Sequence, residues 1–477
     1  MRLSDLLHAA GLPATTLPDV TISGITSDSR QCKPGTLFVA IAGAKDDGKA
    51  YVEAARRNGA VAFLGQGLDG PHISVNNPRA ALARLAAAFY PRQPATIAAV
   101  TGTKGKSSIV DLAQQLWNLT GHKAASIGTR GVIGPGLNSE GSLTTPEPVE
   151  LHATLQSLAE QNVQHVALEA SSIGIIQHRL DGVKISSACF CNFGRDHLDV
   201  HQTMAAYFAA KADLFSRLLP EGAPAILNAD ISEFAPLAEI AARRGQPVVA
   251  YGKAGREIVL HNAQATPDGL NLRLSAHGEP FAGFVPVSGA FQAGNILAAL
   301  GLVLASGVAP RDALAALPAL TSVRGRMELV GKTPRGAAIY VDYAHTPESL
   351  QTVLQSARDL CRGRLHVVFG CGGNRDKGKR PLMGEIACRL ADFVYVTDDN
   401  PRHEDAATIR AEIMVAAPSA REIGGRAKAI QVAIAALESG DILVIAGKGH
   451  EQGQKVGDEV FPFDDAAVAQ GALKELA

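Results

Sequence analysis

The stretch Val100-Thr101-Gly102-Thr103-Lys104-Gly105-Lys106-Ser107-Ser108 constrains this chain more than any other. Before it, Thr96 to Val100 is a short apolar run that reads as a buried strand. After it, Ile109, Leu112 and Leu116 recur at helical spacing, which predicts a helix from about Ser107. A glycine-rich turn between strand and helix aims backbone N–H groups at one point. The positive end of the helix dipole adds to that field, so the turn suits a polyphosphate. Lys106 can reach the terminal phosphates, and the Ser107 hydroxyl is placed to ligate Mg²⁺. The spacing is a compressed GxxGKS rather than the general GxxxxGK[ST], because position 100 is Val. Strand, Lys-Ser pair and helix in register make this a nucleotide site rather than an ordinary turn.

Composition narrows the class. The chain has 477 residues, 46% of them hydrophobic and 19% charged, enough for a globular protein with roughly two to four domains of ~100–200 residues. A formal net charge of −1 offers neither a nucleic-acid surface nor an acidic tail. Cys32, Cys189, Cys191, Cys361, Cys371 and Cys388 form no CxxC pair and are expected reduced, in the cytoplasm. No run approaches the ~18 apolar residues of a membrane span. The N-terminus, interrupted by Asp5, does not read as a signal peptide.

Three α/β domains are expected, at residues 1–94, 95–322 and 323–477. In the first, Thr36 to Ile41 and Val61 to Leu64 read as strands and Tyr51 to Asn58 as a helix. Its polar loops, Ser27-Asp28-Ser29-Arg30 and Asp47-Gly48, suit ligand contacts or plain turns equally. Pro91 and Pro94 mark the linker to the nucleotide strand. Thr144-Thr145-Pro146 then stops the chain before a helix from about Val149, and His165 to Glu169 reads as a strand. A carboxylate ending a strand beside the P-loop strand is placed for metal coordination, or for capping. Further on, Tyr207, Lys211 and Leu214 share one helix face, where a lysine alone reads as a snorkelling surface residue. Strands at Ala225 to Asn228 and Pro247 to Gly252, a β-rich patch from Gly269 to Val287 and an alanine-rich helix after Asn295 complete this domain.

In the third domain four apolar strands each deliver a charged or glycine-rich loop. They end at Asp342, before Tyr343-Ala344-His345; at Phe369, before Gly370 to Arg380; at Thr397, before Asp398 to Arg402; and at Ile445, before Ala446 to Glu451. That is the binding edge of an open parallel sheet.

Together these stretches resemble the Mur ligase family of peptidoglycan synthesis, and within it the members that add the third residue of the peptide. The resemblance runs the whole chain. It rests on SDSR with PGTLFVA, TGTKGKSS, LTTP, EASS with QHR, RDHLDVH with AAYFAAKADLF, GRME, VDYAHTP, GCGGNRDKGKRPLM, DDNPRHED and GKGHE. It implies an α/β fold of three domains: a UDP-binding one, a central P-loop-type ATPase and a Rossmann-like C-terminal one. The implied activity is ATP-dependent ligation of meso-2,6-diaminopimelate to UDP-N-acetylmuramoyl-L-alanyl-D-glutamate through an acyl phosphate, with Mg²⁺, by a cytoplasmic monomer.

Carried over motif by motif, Ser27 and Ser29 would contact the uridine nucleotide. Thr144, Thr145, Ser171, Gln177 and Arg179 would hold the sugar-peptide. Gly102, Thr103, Lys104, Gly105, Lys106, Ser107 and Ser108 would wrap ATP, with Asn295, Arg326 and Asp342 completing its site. Ser107, Glu169 and His197 match metal-associated positions, and Lys211 matches a lysine carried as a carbamate. A carbamate turns a cation into an oxygen ligand for hard Mg²⁺, which reverses the surface reading of Lys211. His345 would assist the chemistry or position a reactant. Asp399-Asn400-Pro401-Arg402 is the form carried by diaminopimelate-adding members, its arginine gripping a distal carboxylate that lysine lacks. Arg375, Gly447 and Glu451 match the remaining contacts, Glu451 toward the distal ammonium.

Five positions depart from the family patterns: Lys104 and Ser107 in the P-loop, then Leu143, Ile173 and Asn374. Two alternatives follow. One is a relative that adds another amino acid, such as lysine, or uses another acceptor; Arg402 argues against lysine. The other is a nucleotide-binding regulator without chemistry, against which Lys106, Glu169, His197 and Lys211 together argue.

Overall fold

The computed structural model describes residues 1–43, 46–139, 141 and 143–476. The first domain holds four parallel strands in chain order: β1 (Gly24–Thr26), β2 (Thr36–Val39), β3 (Ala60–Gly65) and β4 (Ile73–Ser74). Leu37, Val39, Ala62 and Leu64 pack with Ala81, Leu82 and Leu85 of the helix Pro78–Phe89. That helix starts where its chemistry dictates. The Asn77 side chain accepts from the Ala80 N–H, and Pro78 occupies the first turn.

The central sheet is built from β5 (Thr96–Thr101), β6 (Ala124–Gly128), β7 (Gly131–Gly134), β8 (Leu137–Ser139), β9 (His165–Glu169), β10 (Ser187–Phe190), β11 (Ala225–Asn228) and β12 (Val248–Gly252). Its order is β12-β11-β10-β5-β9-β6-β7-β8. The strands from β12 to β6 run parallel, and β7 and β8 fold back antiparallel. Parallel strands covered on both faces are apolar throughout, which is why β5 and β9 stood out as runs. Because β5 lies between β10 and β9, the loops that follow all three emerge on one edge.

The chain divides into two compact units, Met1–Val259 with Ile296–Leu314, and Leu260–Asn295 with Ala315–Ala477. The strand β13 (Ile258–Thr266) begins in the first, pairing Ile258 and Val259 with Tyr251 and Gly252. It continues in the second, followed by the antiparallel pair β14 (Gly269–Ala276) and β15 (Glu279–Val285). The β-rich patch therefore starts earlier than Gly269. Of β13 only Ile258 is fully buried, so polar His261, Asn262 and Gln264 hide it from a search for apolar runs.

In the second unit β16 (Glu328–Lys332), β17 (Ala338–Asp342), β18 (Leu365–Phe369), β19 (Phe393–Val396), β20 (Arg421–Glu422) and β21 (Ile442–Ala446) form one sheet. Its order is β16-β17-β21-β18-β19-β20, parallel except for edge strand β16. Side chains alternate between two cores. Tyr340, Val367 and Val444 enter one with the helices Pro347–Leu360 and Lys379–Leu390. Ile339, Val341, Val368, Leu443 and Ile445 enter the other with Arg426–Ala435 and Asp465–Leu476. A separate hairpin, β22 (Gly453–Val456) with β23 (Glu459–Pro462), follows the last strand-end loop. It has no fully buried residue, so no apolar pattern announced it.

Candidate active site

The P-loop depends on missing side chains. Gly102 and Gly105 have φ of +148° and +83°, and a Cβ on Gly102 would collide with Cys191 Sγ at the end of β10. Reciprocal bonds clamp loop to strand end: Lys104 N–H donates to Asn192 Oδ1 (2.8 Å), and Asn192 Nδ2 to the Lys104 carbonyl (2.7 Å). Thr103 Oγ1 donates to the Gly194 carbonyl and accepts from its N–H. The helix Lys106–Leu119 begins one residue before the expected start.

Two ammonium groups converge here. Lys106 Nζ donates to the Gly102 and Thr103 carbonyls, each at 3.0 Å, and Lys211 Nζ donates to the Gly102 carbonyl at 2.7 Å. Lys211 is 1% exposed and lies over the Tyr207 ring. Burial, reinforced by the Lys106 charge, holds its pKa well below the usual lysine value. The surface reading of Lys211 is wrong: its helix face is turned inward, with Tyr207, Leu214 and Phe215 also fully buried. Among the described residues neither lysine has a carboxylate in ion-pair range.

Glu169 does not cap the next helix; Ser171 does, accepting from the Gly174 N–H. The Glu169 carboxylate accepts from Thr129 N–H (2.8 Å) and Thr129 Oγ1 (3.3 Å). A Cβ on Gly128 would overlap its Oε1. Glu169 and Ser107 line one small pocket with Asp111, Ser126 and Arg130. A buried hydroxyl and carboxylate facing one space are hard oxygen donors of the kind Mg²⁺ takes beside nucleotide phosphates and water. No group of three or more His, Cys, Asp or Glu gathers as a metal cluster among the described residues. His197 stands apart from such a set: its side chain is 44% exposed, and its ionic neighbour is Asp196 at 3.8 Å.

The residues assigned to the sugar-peptide form a single network around Glu169. Thr129 Oγ1 lies 3.1 Å from Thr144 Oγ1. Thr145 Oγ1 donates to the Glu169 carbonyl and accepts from Ser171 N–H. Arg179 donates to the Thr145 carbonyl (2.8 Å) and Gln177 Oε1 (2.7 Å), and pairs with Glu147. In the first domain Ser27 is exposed just past β1, whereas Ser29 is buried in a short turn capped by Asp28.

In the second unit Asn295, Arg326 and Asp342 come together. Asn295 Nδ2 donates to Gln292 Oε1, whose amide reaches the Arg326 carbonyl. Asp342 accepts from Met327 and Ala344 N–H, and the Arg326 guanidinium covers the Tyr343 ring at 4.6 Å. The His345 ring contacts the Tyr343 carbonyl, and Lys379 Nζ donates to the His345 carbonyl. His345 keeps an exposed surface, but crowding around its ring, with Lys379 and Arg326 nearby, lowers its pKa.

The strand-end loops after β18, β19 and β21 interlock. Arg402, at φ +54°, donates through Nη1 to the Gly373 carbonyl (2.9 Å) and bonds the hairpin on both sides of its own peptide. Among the described residues no carboxylate pairs with Arg402, so it is not a capping ion pair. Asn400 bridges Lys448 and Glu451, and Gln454 Nε2 donates to the Asp399 carbonyl. Burial raises the Asp399 pKa, but Arg426, Lys448 and the Asn400 N–H outweigh it and hold the carboxyl below its usual value. A Cβ on Gly447 would come within 2.9 Å of Asp399 Oδ2, and one on Gly373 would overlap the Pro401 carbonyl. Arg375 is exposed on the loop after β18.

Sequence reasoning missed the groups behind this edge. Fully buried Arg380 binds Glu404, Glu412 and the Gly372 carbonyl. Fully buried Arg426 forms a two-pronged pair with Asp465 (2.6 Å each) and donates to the Ala446 carbonyl. Arg380 lies within a motif quoted above. Arg426 and Asp465 lie in no motif, and only the fold joins them.

A parallel sheet bearing a glycine-rich phosphate loop, with a second α/β unit gathering charged loops at its strand ends, defines a nucleotide-using enzyme of the ligase type. Family models agree: the Mur ligase family catalytic domain matches residues 21–90, the Mur ligase middle domain 100–303, and the Mur ligase glutamate ligase domain 325–449. A protein of Mesorhizobium japonicum is 48% identical over 483 residues, covering 100% of both chains. One of Agrobacterium fabrum is 50% identical over 460 residues, covering 96% of this chain and 94% of its own. Both are named UDP-N-acetylmuramoyl-L-alanyl-D-glutamate–2,6-diaminopimelate ligase. A solved structure of a ligase of that name superposes with a TM-score of 0.72 at 30% identity, covering 100% of this chain and 99% of its own. The chain belongs to the Mur ligase family.

Proposed function

We propose that this protein joins meso-2,6-diaminopimelate to UDP-N-acetylmuramoyl-L-alanyl-D-glutamate, using ATP, in peptidoglycan precursor synthesis. The observation that carries the reading is full-length identity near one half to ligases of that name, joined to an Arg402 that pairs with no carboxylate among the described residues. The cytoplasm supplies ATP and a UDP-linked acceptor, and no helix among the described residues is long and apolar enough to cross a membrane.

A free carboxylate is a poor acceptor for an amine, so the γ-phosphoryl group of ATP first moves to the D-glutamyl carboxylate. The P-loop N–H groups and Lys106 hold the triphosphate and offset charge on the moving group. Mg²⁺, when held by Ser107 and Glu169, supplies further neutralisation of the phosphate oxygens. Lys211 supports this side as a carbamate: its buried neutral amine bonds carbon dioxide and releases one proton, becoming an anionic oxygen donor. Thr144, Thr145, Ser171 and Arg179 orient the acceptor, already linked to one another and to the Glu169 strand end. The incoming amine then attacks the acyl carbon and inorganic phosphate leaves. Arg402 takes the distal carboxylate as a two-pronged pair, Glu451 takes the distal ammonium, and His345 positions the attacking end.

Phosphate release from purified protein with ATP, Mg²⁺ and the UDP-muramoyl dipeptide tests this directly. Turnover should require meso-diaminopimelate; equal turnover with lysine would overturn the assignment in favour of a lysine-adding relative.

A further inference from the structure

Lys448 is the least explained charge in the second unit. It is 0% exposed, and its one carboxylate partner, Glu451, has a side chain 34% exposed. Burying an ammonium is costly unless its bonds are well made, and an apolar residue of similar size often serves stability as well. The bonds here form a closed ring. Lys448 Nζ donates to Asn400 Oδ1 (2.9 Å) and Glu451 Oε2 (3.1 Å), while Asn400 Nδ2 donates to the same Glu451 Oε2 (2.9 Å). The hairpin closes on it too, Lys455 N–H donating to Asn400 Oδ1 at 3.0 Å.

Two consequences follow from the atoms. Both internal donors fall on Oε2 of Glu451, so Oε1 is left with no protein donor among the described residues, on a side chain 34% exposed. The Lys448 and Glu451 charges offset one another, so the ring presents an oxygen without a net negative charge, and the Arg402 guanidinium reaches the carbonyl of its Asn400 member (3.4 Å). A distal end bearing only an ammonium gains little there and is opposed by Arg402. A distal end bearing both ammonium and carboxylate satisfies the two groups together.

We infer that Lys448 is a positioning and specificity residue of the amino-acid site: it sets the Glu451 carboxylate and, with Asn400, makes the site demand a two-charge distal group. The inference rests on the ligase reading above. Lys448→Met should leave KM for ATP and for the sugar-peptide within about twofold of wild type. KM for meso-diaminopimelate should rise roughly tenfold or more, the scale of a lost charged hydrogen bond. The preference for diaminopimelate over lysine should narrow by a similar factor, because Glu451 is then an uncompensated anion. A purely structural role would lower the melting temperature and affect all three substrates alike, without changing that preference. If Lys448→Met does not fold, Asn400→Ser opens the same ring while keeping the lysine, and should raise KM for diaminopimelate selectively. An unchanged diaminopimelate KM, or an unchanged preference in the soluble variant, overturns the inference. Absence of wild-type turnover with diaminopimelate would instead overturn the ligase reading itself.

Discussion

The two functional regions handle charge in opposite ways. At the P-loop, Lys106 and Lys211 are held by backbone carbonyls, and the Glu169 carboxylate by one threonine. At the strand ends of the second unit, Arg380, Arg410, Arg426 and Lys448 each have a carboxylate partner. Carbonyl dipoles hold the Lys106 cation in place but leave its charge available to a polyanion. Carboxylates cancel it and buy rigidity instead. The first region is therefore charged for a ligand of high charge density, and the second is braced for shape, with Arg402 paired to no carboxylate among the described residues.

The comparison breaks most visibly at Lys106. Lys106→Met should lower kcat by at least about a thousandfold, because it removes the ammonium proposed to offset charge on the transferring phosphoryl group; phosphate release with all substrates measures it. Activity within tenfold of wild type would mean the P-loop amides suffice alone. Arg402→Ala comes next. It should raise KM for diaminopimelate about a hundredfold while leaving KM for ATP unchanged, the scale of a lost two-pronged charged pair. Steady-state kinetics with each substrate varied in turn separates the two.

If the second region is braced by its ion pairs, Asp465→Asn should cost about 3–5 kcal/mol of stability, since it strands a fully buried guanidinium. Denaturant unfolding reads this out, and a loss under 1 kcal/mol would remove the bracing argument. The smallest effect sharpens the same point. Hydrogen bonds from Arg380 and the Asn374 N–H pull the Glu404 pKa down to about 2 from 4.5. A depressed carboxylate stabilises the fold above its unfolded value, so this contribution is complete above pH 4.5 and fades as pH falls toward 2. Glu404→Gln should lower stability above pH 4.5 and flatten its dependence on pH between 4.5 and about 2.

Much of this was legible because the inner strands of both large sheets are parallel and covered on two sides. Such strands are unbroken apolar runs, and β9 and β18 fell on the stretches expected, with each loop on the edge foreseen. The P-loop and Arg402 could be read because glycine spacing and motif order leave a local trace. What escaped was long-range. The Arg426–Asp465 pair spans 39 residues and depends on which helices cover one face of the sheet. The β22–β23 hairpin carries no buried alternation, and the burial of Lys211 is invisible without its helix docked. Whether a lysine snorkels or is enclosed depends on what packs above it, which periodicity does not record.

Arg402 adopts a left-handed backbone at φ +54°, uncommon for a side chain of its size, and the hairpin holds it there through the Lys455 carbonyl and the Gly457 N–H. Its partner loop supplies glycines where any larger residue would strike Arg402 or Pro401. The four-residue motif proposed to choose the amino acid is thus not portable alone. Redirecting this enzyme to a new building block would mean transplanting motif, glycine loop and hairpin as one cassette, and an insertion in the hairpin turn would retune substrate choice without touching a ligand.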